Sequence, residues 1–227
     1  MLRAKIKVVA FDADDTLWDN ETYFQEAERR FCTLLEMHLP SATASKLLFE
    51  AEMKNLQRYG AGVKGFMLCM IETITTHVPR SLQGELIGEV LAIGHDLLSK
   101  PVHLLSGVTE ALKSLKANYR LIIATKGDLL DQERKLELPG LQNYFEHVEI
   151  MSDKRPMNYQ RLDCSPEHFL MIGNSLKSDI LPVLQLNSYA MHIPFHTTWQ
   201  HEQQAEAVAH PNLICLQSIA EILNYLH

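Results

Sequence analysis

The sequence has 227 residues, of which 46% are hydrophobic and 22% charged, and its formal net charge at pH 7 is −7. This length allows one large domain, or a core domain with a smaller insert. This negative charge does not favour binding to a nucleic-acid backbone, because proteins that bind one need a basic surface. A small anionic substrate is not excluded, since a local cationic pocket or a metal ion can override the overall sign.

Neither a signal peptide nor a membrane-spanning segment is predicted. The apolar run near the N-terminus is interrupted by Asp12, and no stretch approaches the roughly 18 apolar residues of a membrane helix. The four cysteines are scattered without a CxxC pair, which is typical of reduced thiols. We therefore expect a cytoplasmic protein that binds neither membranes nor nucleic acids. The sequence leaves its oligomeric state open.

The first predicted element is a buried strand over residues 5–11, an apolar run that stops abruptly at Asp12. Between about residues 21 and 99, apolar side chains such as Ala27 and Phe31 recur at helical spacing, and no strand pattern is present. Breaks that contain proline or glycine divide this stretch into four predicted helices.

After residue 100, short apolar runs alternate with helical patterns. Strands are predicted at 121–124, 148–151, 169–172, 189–193 and 213–215, and helices at 108–115, 129–136, 180–186 and 219–226. This alternation predicts an α/β fold with right-handed crossovers and a doubly wound parallel sheet. The first strand must join that sheet, because it has no other partner. We therefore expect an α/β core of residues 1–16 and 100–227, with a helical insertion of residues 17–99.

Polar residues follow four of the predicted strands. They are residues 12–16 (DADDT), 125–128 (TKGD), 152–154 (SDK) and 173–179 (GNSLKSD). In open α/β sheets, ligands bind beyond the carboxyl ends of the strands. The convergence of carboxylates, hydroxyls, lysines and glycine turns at these four ends predicts a functional site there.

These residue types suit phosphoryl transfer. Asp12 and Asp14 are two residues apart, so in extended chain they point the same way. One can attack phosphorus while the other protonates the leaving group. Two carboxylates would repel a phosphate dianion, and a divalent cation such as Mg²⁺ offsets that repulsion. Thr125, near a helix start, can bind phosphate, and Lys154 can neutralise charge.

The segments FDADDT, ATKGD, SDKRP and IGNSLKSD resemble, in this order, the four motifs of the haloacid dehalogenase (HAD) superfamily. The resemblance covers the whole chain, because the helical insertion resembles the cap that this family places between its first and second motifs. It implies a HAD-type core with a helical cap that closes over the site. A covered site implies a small, soluble phosphorylated metabolite as substrate.

The resemblance also implies roles for individual residues. Asp12 corresponds to the nucleophile that forms an aspartyl-phosphate, and Asp14 to the general acid and then the base. Thr125 and Lys154 correspond to the phosphate-binding pair, which the backbone N–H of Lys126 would join. A Mg²⁺ ion would be held by Asp12, by the backbone carbonyl of Asp14 and by the fourth motif.

The fourth motif departs from the family pattern. Many relatives have Asp directly after its glycine, where this chain has Asn174. An amide oxygen binds Mg²⁺ but supplies no charge, so we expect metal binding to be retained and weakened. Asp179 is the second candidate, as a direct ligand, through water, or as a residue that orients Lys154. The sequence does not decide between Asn174 and Asp179.

The resulting prediction is a Mg²⁺-dependent phosphatase, and three alternatives stay open. Dehalogenases of the superfamily attack carbon and need no acid two residues after the nucleophile, so Asp14 disfavours them. Phosphomutases keep that acid and are not excluded. A non-catalytic binding module with a decayed site is favoured only by Asn174.

Two further expectations concern the surroundings of the motifs. Trp18 follows the first motif and is the aromatic residue with the best case for a functional contact, although packing is its more common role. The charged stretch at 131–135 (DQERK) is expected to form a solvated helix face.

Overall fold

The computed structural model describes residues 2–162, 165–203 and 208–226. Within these residues, six strands form one sheet in the order β3-β2-β1-β4-β5-β6, and all neighbours pair in parallel. The strands are β1 (Val8–Phe11), β2 (Arg120–Lys126), β3 (His147–Met151), β4 (Phe169–Gly173), β5 (Tyr189–His192) and β6 (Leu213–Cys215). The predicted parallel α/β fold is confirmed.

β1 lies at the centre of the sheet because its side chains are apolar on both faces. Val9 and Phe11 belong to one buried cluster, whereas Val8 and Ala10 belong to another. Successive side chains of a strand point to opposite faces, so the sheet separates two layers of apolar core. A strand covered on both faces is typical of parallel sheets.

The helices flank the sheet or form a bundle of their own. They are α1 (Glu21–Leu34), α2 (Ser41–Tyr59), α3 (Val63–His77), α4 (Arg80–Ser99), α5 (Val108–Lys116), α6 (Leu129–Glu137), α7 (Pro156–Tyr159), α8 (Leu181–Leu184) and α9 (Leu223–Leu226). The four helices predicted between about residues 21 and 99, and the helix predicted at 108–115, are confirmed. None of the helices in the described residues combines the length and the hydropathy that a membrane-spanning helix requires.

The described chain divides into two compact units. One contains the sheet and comprises residues 1–21, 102–126 and 132–227, and the other comprises residues 22–101 and 127–131. The second unit is built on α1–α4 and has its own apolar core, with Phe31 and Met70 among its fully buried side chains. Each unit therefore buries enough apolar surface to form a core of its own.

The helix predicted at 180–186 begins earlier and is less regular than expected. A π-helical turn at Leu176–Ile180 precedes α8. Pro182 has no N–H to donate to the carbonyl of Ser178, and the hydroxyl of Tyr159 donates to that carbonyl instead, at 3.0 Å. The proline therefore explains why the α-helical ladder does not run through this segment.

Candidate active site

The strand order places the first and fourth predicted motifs side by side. Along the chain, β2 and β3 extend the sheet on one side of β1, and β4 to β6 extend it on the other. Such a reversal leaves a crevice at the carboxyl ends of the two central strands, where ligands of open α/β sheets bind. Asp12 directly follows β1, and its N–H donates to the carbonyl of Ile172 in β4 at 2.9 Å.

Lys154 joins two carboxylates in the interior of the core unit. Its ammonium donates to Oδ1 of Asp12 and, at 2.6 Å, to Oδ1 of Asp179. Only 4% of Lys154 and 1% of Asp179 is exposed. Oδ2 of Asp179 accepts the N–H of Ser175 at 2.9 Å. The structure thus brings three predicted site residues into one hydrogen-bonded, buried ion cluster, which is how buried charges are tolerated.

This ion cluster has one cation for two carboxylates. Burial, reinforced by the Asp179 carboxylate, raises the pKa of Asp12 to about 7, although Lys154 acts in the opposite direction. Burial lowers the pKa of Lys154, but the charges of Asp12 and Asp179 outweigh it and hold that pKa well above the usual value. A further cation beside Asp12 would stabilise its ionised form.

The second carboxylate oxygen of Asp12, Oδ2, lies near other oxygen atoms that are suited to magnesium. The hydroxyl of Thr16 contacts Oδ2 of Asp12 at 3.2 Å and Oδ1 of Asn174 at 3.3 Å. A hydroxyl has a single proton, so it cannot donate fully to both oxygens. The oxygens of Asp12 and Asn174 therefore share the single proton of the Thr16 hydroxyl. Hard oxygen atoms of this kind are the ligands that Mg²⁺ prefers.

The two candidates of the fourth motif differ in how their oxygens are used. Each carboxylate oxygen of Asp179 already accepts a hydrogen bond, from Lys154 or from Ser175. Oδ1 of Asn174 instead accepts a longer hydrogen bond, from the hydroxyl of Thr16 at 3.3 Å. In the part of the chain that the structure describes, no group of three or more His, Cys, Asp or Glu side chains could hold a metal. A magnesium site here therefore needs amide or backbone oxygens as well.

The Asp14 carboxylate lies in a separate set of hydrogen bonds. Its Oδ1 accepts the indole N–H of Trp18 at 2.7 Å and the ammonium of Lys135 at 3.0 Å. Its Oδ2 accepts from Nε2 of Gln132 at 2.8 Å. Trp18 is therefore a buried residue that both packs in the core and contacts a predicted site residue.

Gln132 links the end of β2 to Asp14. Its Nε2 lies 2.6 Å from the carbonyl of Lys126 and 3.4 Å from Oγ1 of Thr125, and it donates to Asp14 as well. Thr125 is buried. One amide nitrogen thus connects the second motif with the first, so Thr125 and Asp14 are held near each other.

The prediction of a solvated face at 131–135 is wrong for three of its five residues. Asp131, Gln132 and Lys135 are 6%, 4% and 9% exposed. Gln132 and Lys135 are three residues apart in α6, a spacing that puts them on one helix face, and this face is directed at the Asp14 carboxylate. Gln132 and Lys135 are polar as expected, but their partner is the partly buried carboxylate of Asp14, whose side chain is 24% exposed, and not water alone.

Lys126 has a side-chain role that the sequence did not suggest. Its ammonium donates to Oε1 of Glu202 at 2.6 Å and to the hydroxyl of Ser178 at 3.0 Å. The contribution of its backbone N–H to phosphate binding stays a prediction. Sequence analysis did not identify Glu202, because this residue lies in the loop after β5, where the sequence contains no recognisable motif.

Comparison with known proteins places the chain in a family. The family model described as haloacid dehalogenase-like hydrolase matches residues 6–185. A crystal structure of a haloacid dehalogenase-like family hydrolase from Xanthomonas campestris is 34% identical, with a TM-score of 0.86, and the match covers 98% of this chain and 92% of that one.

Two curated relatives match most of the chain at lower identity. Glyceraldehyde 3-phosphate phosphatase of Methanothermobacter thermautotrophicus is 26% identical over 191 residues, 78% of this chain and 80% of that protein. The HAD-hydrolase YfnB of Bacillus subtilis is 25% identical over 189 residues, 78% and 79% of the two chains. A crystal structure of YfnB bound to magnesium shares the fold, with 18% identity, a TM-score of 0.61 and coverage of 98% and 99%. The chain is a hydrolase and belongs to the haloacid dehalogenase-like family.

Proposed function

We propose that this protein is a Mg²⁺-dependent phosphatase that hydrolyses a small phosphorylated metabolite through an aspartyl-phosphate on Asp12. The observation that carries the proposal is the position of Asp12 at the end of the central strand. Lys154 contacts one of its carboxylate oxygens, and the hydroxyl of Thr16, which also contacts Asn174, lies at the other. A relative named glyceraldehyde 3-phosphate phosphatase supports the substrate class.

The two oxygens of Asp12 have different partners, which suggests different tasks. Oδ1 lies beside the Lys154 ammonium, so we assign it the attack on phosphorus, where Lys154 neutralises the incoming phosphate. The bond from Oδ1 to phosphorus forms as the ester bond breaks, and the protonated form of Asp14, which the second half of the cycle regenerates, gives its proton to the departing oxygen. Asp14 then takes a proton from water, which attacks phosphorus and releases inorganic phosphate and free Asp12.

The metal ligands we propose are Oδ2 of Asp12, Oδ1 of Asn174 and the backbone carbonyl of Asp14. Bound there, Mg²⁺ supplies the positive charge that offsets repulsion between these carboxylates and a phosphate dianion. In this assignment Asp179 is not a direct ligand. It orients Lys154, because its two oxygens accept shorter hydrogen bonds, at 2.6 and 2.9 Å, than the oxygens of Asp12 and Asn174 that face Thr16, at 3.2 and 3.3 Å.

Thr125 and the backbone N–H of Lys126 complete the proposed phosphate site. Both residues end β2 shortly before α6 begins, and N–H groups at a helix start favour anions. The helical insertion, residues 17–99, is proposed to act as the cap. A capped site favours a small soluble ester over a folded phosphoprotein.

The test is phosphate release from a panel of small phosphate esters, with and without Mg²⁺. We expect Mg²⁺-dependent release by the native protein and none by Asp12→Asn, because an amide is a poor nucleophile. Asp96→Asn, which changes an exposed carboxylate of α4, is the matched control and should retain activity. Release that persists in Asp12→Asn would contradict the assigned nucleophile. An isomerised ester or free halide as product would instead favour a mutase or a dehalogenase.

A further inference from the structure

Glu202 is a nearly buried carboxylate in the loop after β5, and it holds three groups at once. Its side chain is 11% exposed. Oε1 accepts from the ammonium of Lys126 at 2.6 Å. Oε2 accepts from the hydroxyls of Ser175 at 2.5 Å and Ser178 at 2.6 Å. Glu202 lies beyond residues 6–185, the part of the chain that the family model matches.

The two serines belong to the turn that carries the fourth motif. Ser175 directly follows Asn174, and its N–H donates to the carboxylate of Asp179. The hydroxyl of Ser175 also accepts the N–H of Ser178 at 3.0 Å. A continuous set of hydrogen bonds therefore runs from Glu202 through Ser175 to Asp179, and from there through Lys154 to Asp12.

We propose that Glu202 is a positioning residue that fixes the turn of Ser175 and Ser178, and thereby holds Asn174 where it can bind magnesium. This inference rests on the proposed function and extends it to a residue outside the four motifs. The hydrogen bonds of Glu202 go to Lys126 and the two serines, so it acts on Asn174 through the turn and not by direct contact.

The role assigned to Glu202 depends on its hydrogen bonds more than on its charge. Lys126 already neutralises the carboxylate. Burial alone would raise the pKa of Glu202, but Lys126 and the two serine hydroxyls outweigh it and lower that pKa to about 2. The group is therefore an ionised acceptor at neutral pH. A glutamine has one acceptor oxygen and cannot accept from Lys126 and both serines in the same way.

The test is direct titration of Mg²⁺ into substrate-free protein by calorimetry, for the native chain, Glu202→Gln and Glu167→Gln. We expect the dissociation constant for Mg²⁺ to rise about 10-fold or more in Glu202→Gln, in the range seen when partners of metal ligands are removed. Glu167 is an exposed acid just before the amino end of β4. The candidate site lies at the opposite, carboxyl ends of the strands. Substitution of Glu167 removes the same charge and should leave the constant unchanged.

A second variant tests the path through the turn and keeps the inference falsifiable if Glu202→Gln folds poorly. Ser175→Ala removes the hydroxyl that Glu202 holds, and we expect a similar weakening of Mg²⁺ binding. In the double variant the two effects should not add, because they break the same connection.

The outcomes separate this inference from the proposed function. If the native protein binds Mg²⁺ and Glu202→Gln and Ser175→Ala both bind it equally well, the positioning role is wrong and the phosphatase proposal stands. Fully additive effects in the double variant would also overturn the proposed path. If the native protein binds no Mg²⁺ at millimolar concentrations, both the metal assignment and this inference fail.

Discussion

Gly173, the last residue of β4, has no room for a side chain. A Cβ atom at this position would lie 2.5 Å from Cγ and 2.6 Å from Cβ of Asp179. Asp179 cannot turn away without losing its bonds to Lys154 and Ser175. The glycine is therefore required by the close approach of a site residue to the backbone.

Replacing Gly173 by alanine tests this contact. We expect Gly173→Ala to lower kcat/KM about 100-fold or more, because displacing Asp179 would move Lys154, and shifts of about 1 Å in a site have such costs. Gly84→Ala is the matched control. Gly84 lies within α4, and a methyl group there would meet no atom within 4 Å, so this change should keep activity and raise stability by roughly 0.5–1 kcal/mol. Unchanged kcat/KM in Gly173→Ala would refute the packing argument.

The Lys154 ammonium compensates two buried carboxylates, so its removal should be costly to stability as well as to activity. We expect Lys154→Met to lower the free energy of unfolding by about 3 kcal/mol at pH 7, since breaking a buried ion pair leaves uncompensated charge. Urea denaturation measures the change. Lys113→Met on the exposed surface of α5 serves as control, and an equal loss in both variants would contradict the account.

At the scale of single elements, the start of α3 depends on a residue distant in sequence. The residue before this helix, Gly62, provides no side-chain cap. The carboxylate of Asp128 supplies one instead, since it accepts the N–H of Lys64 at 3.2 Å and lies 3.6 Å from its ammonium. This contact explains why residues 127–131 group with the helical unit.

Removing this cap should weaken the helical unit. We expect Asp128→Ala to lower the free energy of unfolding by about 1 kcal/mol, as for other lost helix caps, and to increase hydrogen exchange in the first turn of α3. Asp128→Asn, which keeps an acceptor oxygen, should lose less. Equal exchange in the native and Asp128→Ala proteins would show that the contact does not stabilise the helix.

The elements that sequence analysis predicted correctly are those with strong apolar patterns. β1 and β4 are short, fully apolar runs, and α1–α4 bury one face each, so periodicity was sufficient. The turn at Leu176–Ile180 was not predicted, because its geometry depends on Pro182 and on the hydroxyl of Tyr159, which approaches from another segment. Such a tertiary contact leaves no local pattern.

The residues of the candidate site could be predicted only where a polar motif directly follows a strand. The sequence predicted that Asp12, Lys154 and Asp179 would lie close together, because each follows a strand of one parallel sheet. The spacing of residues alone did not reveal Gln132 or Glu202. Polar residues on α6 read as solvated unless the position of the Asp14 carboxylate is known. The sequence also left open which fourth-motif oxygen is available, which depends on the hydrogen bonds that Asp179 makes with Lys154 and Ser175.

At the scale of the whole molecule, a net charge of −7 and a buried carboxylate pair predict that a divalent cation stabilises the fold. At a Mg²⁺ concentration about 100 times its dissociation constant, binding to the native state contributes about 2.7 kcal/mol. For a chain of this size that corresponds to a rise in Tm of roughly 5–10 °C. Differential scanning calorimetry with Mg²⁺ and with EDTA measures it.

The rise in Tm should depend on the proposed ligands. We expect Asp12→Asn to lose most of it, whereas Asp96→Asn should show the same rise as the native protein. A rise of equal size in Asp12→Asn would mean that Mg²⁺ binds elsewhere on this acidic surface.

The proposed function requires that Asp12 itself carries the phosphoryl group during turnover. The most direct measurement is to quench the protein with acid while it hydrolyses its best ester, and to locate phosphate on its peptides by mass spectrometry. We expect phosphate on Asp12 in the native protein, with a larger fraction in Asp14→Asn if loss of the base slows hydrolysis of the intermediate. Phosphate release with Asp12 unmodified at every time point, or phosphate on another residue, would contradict it.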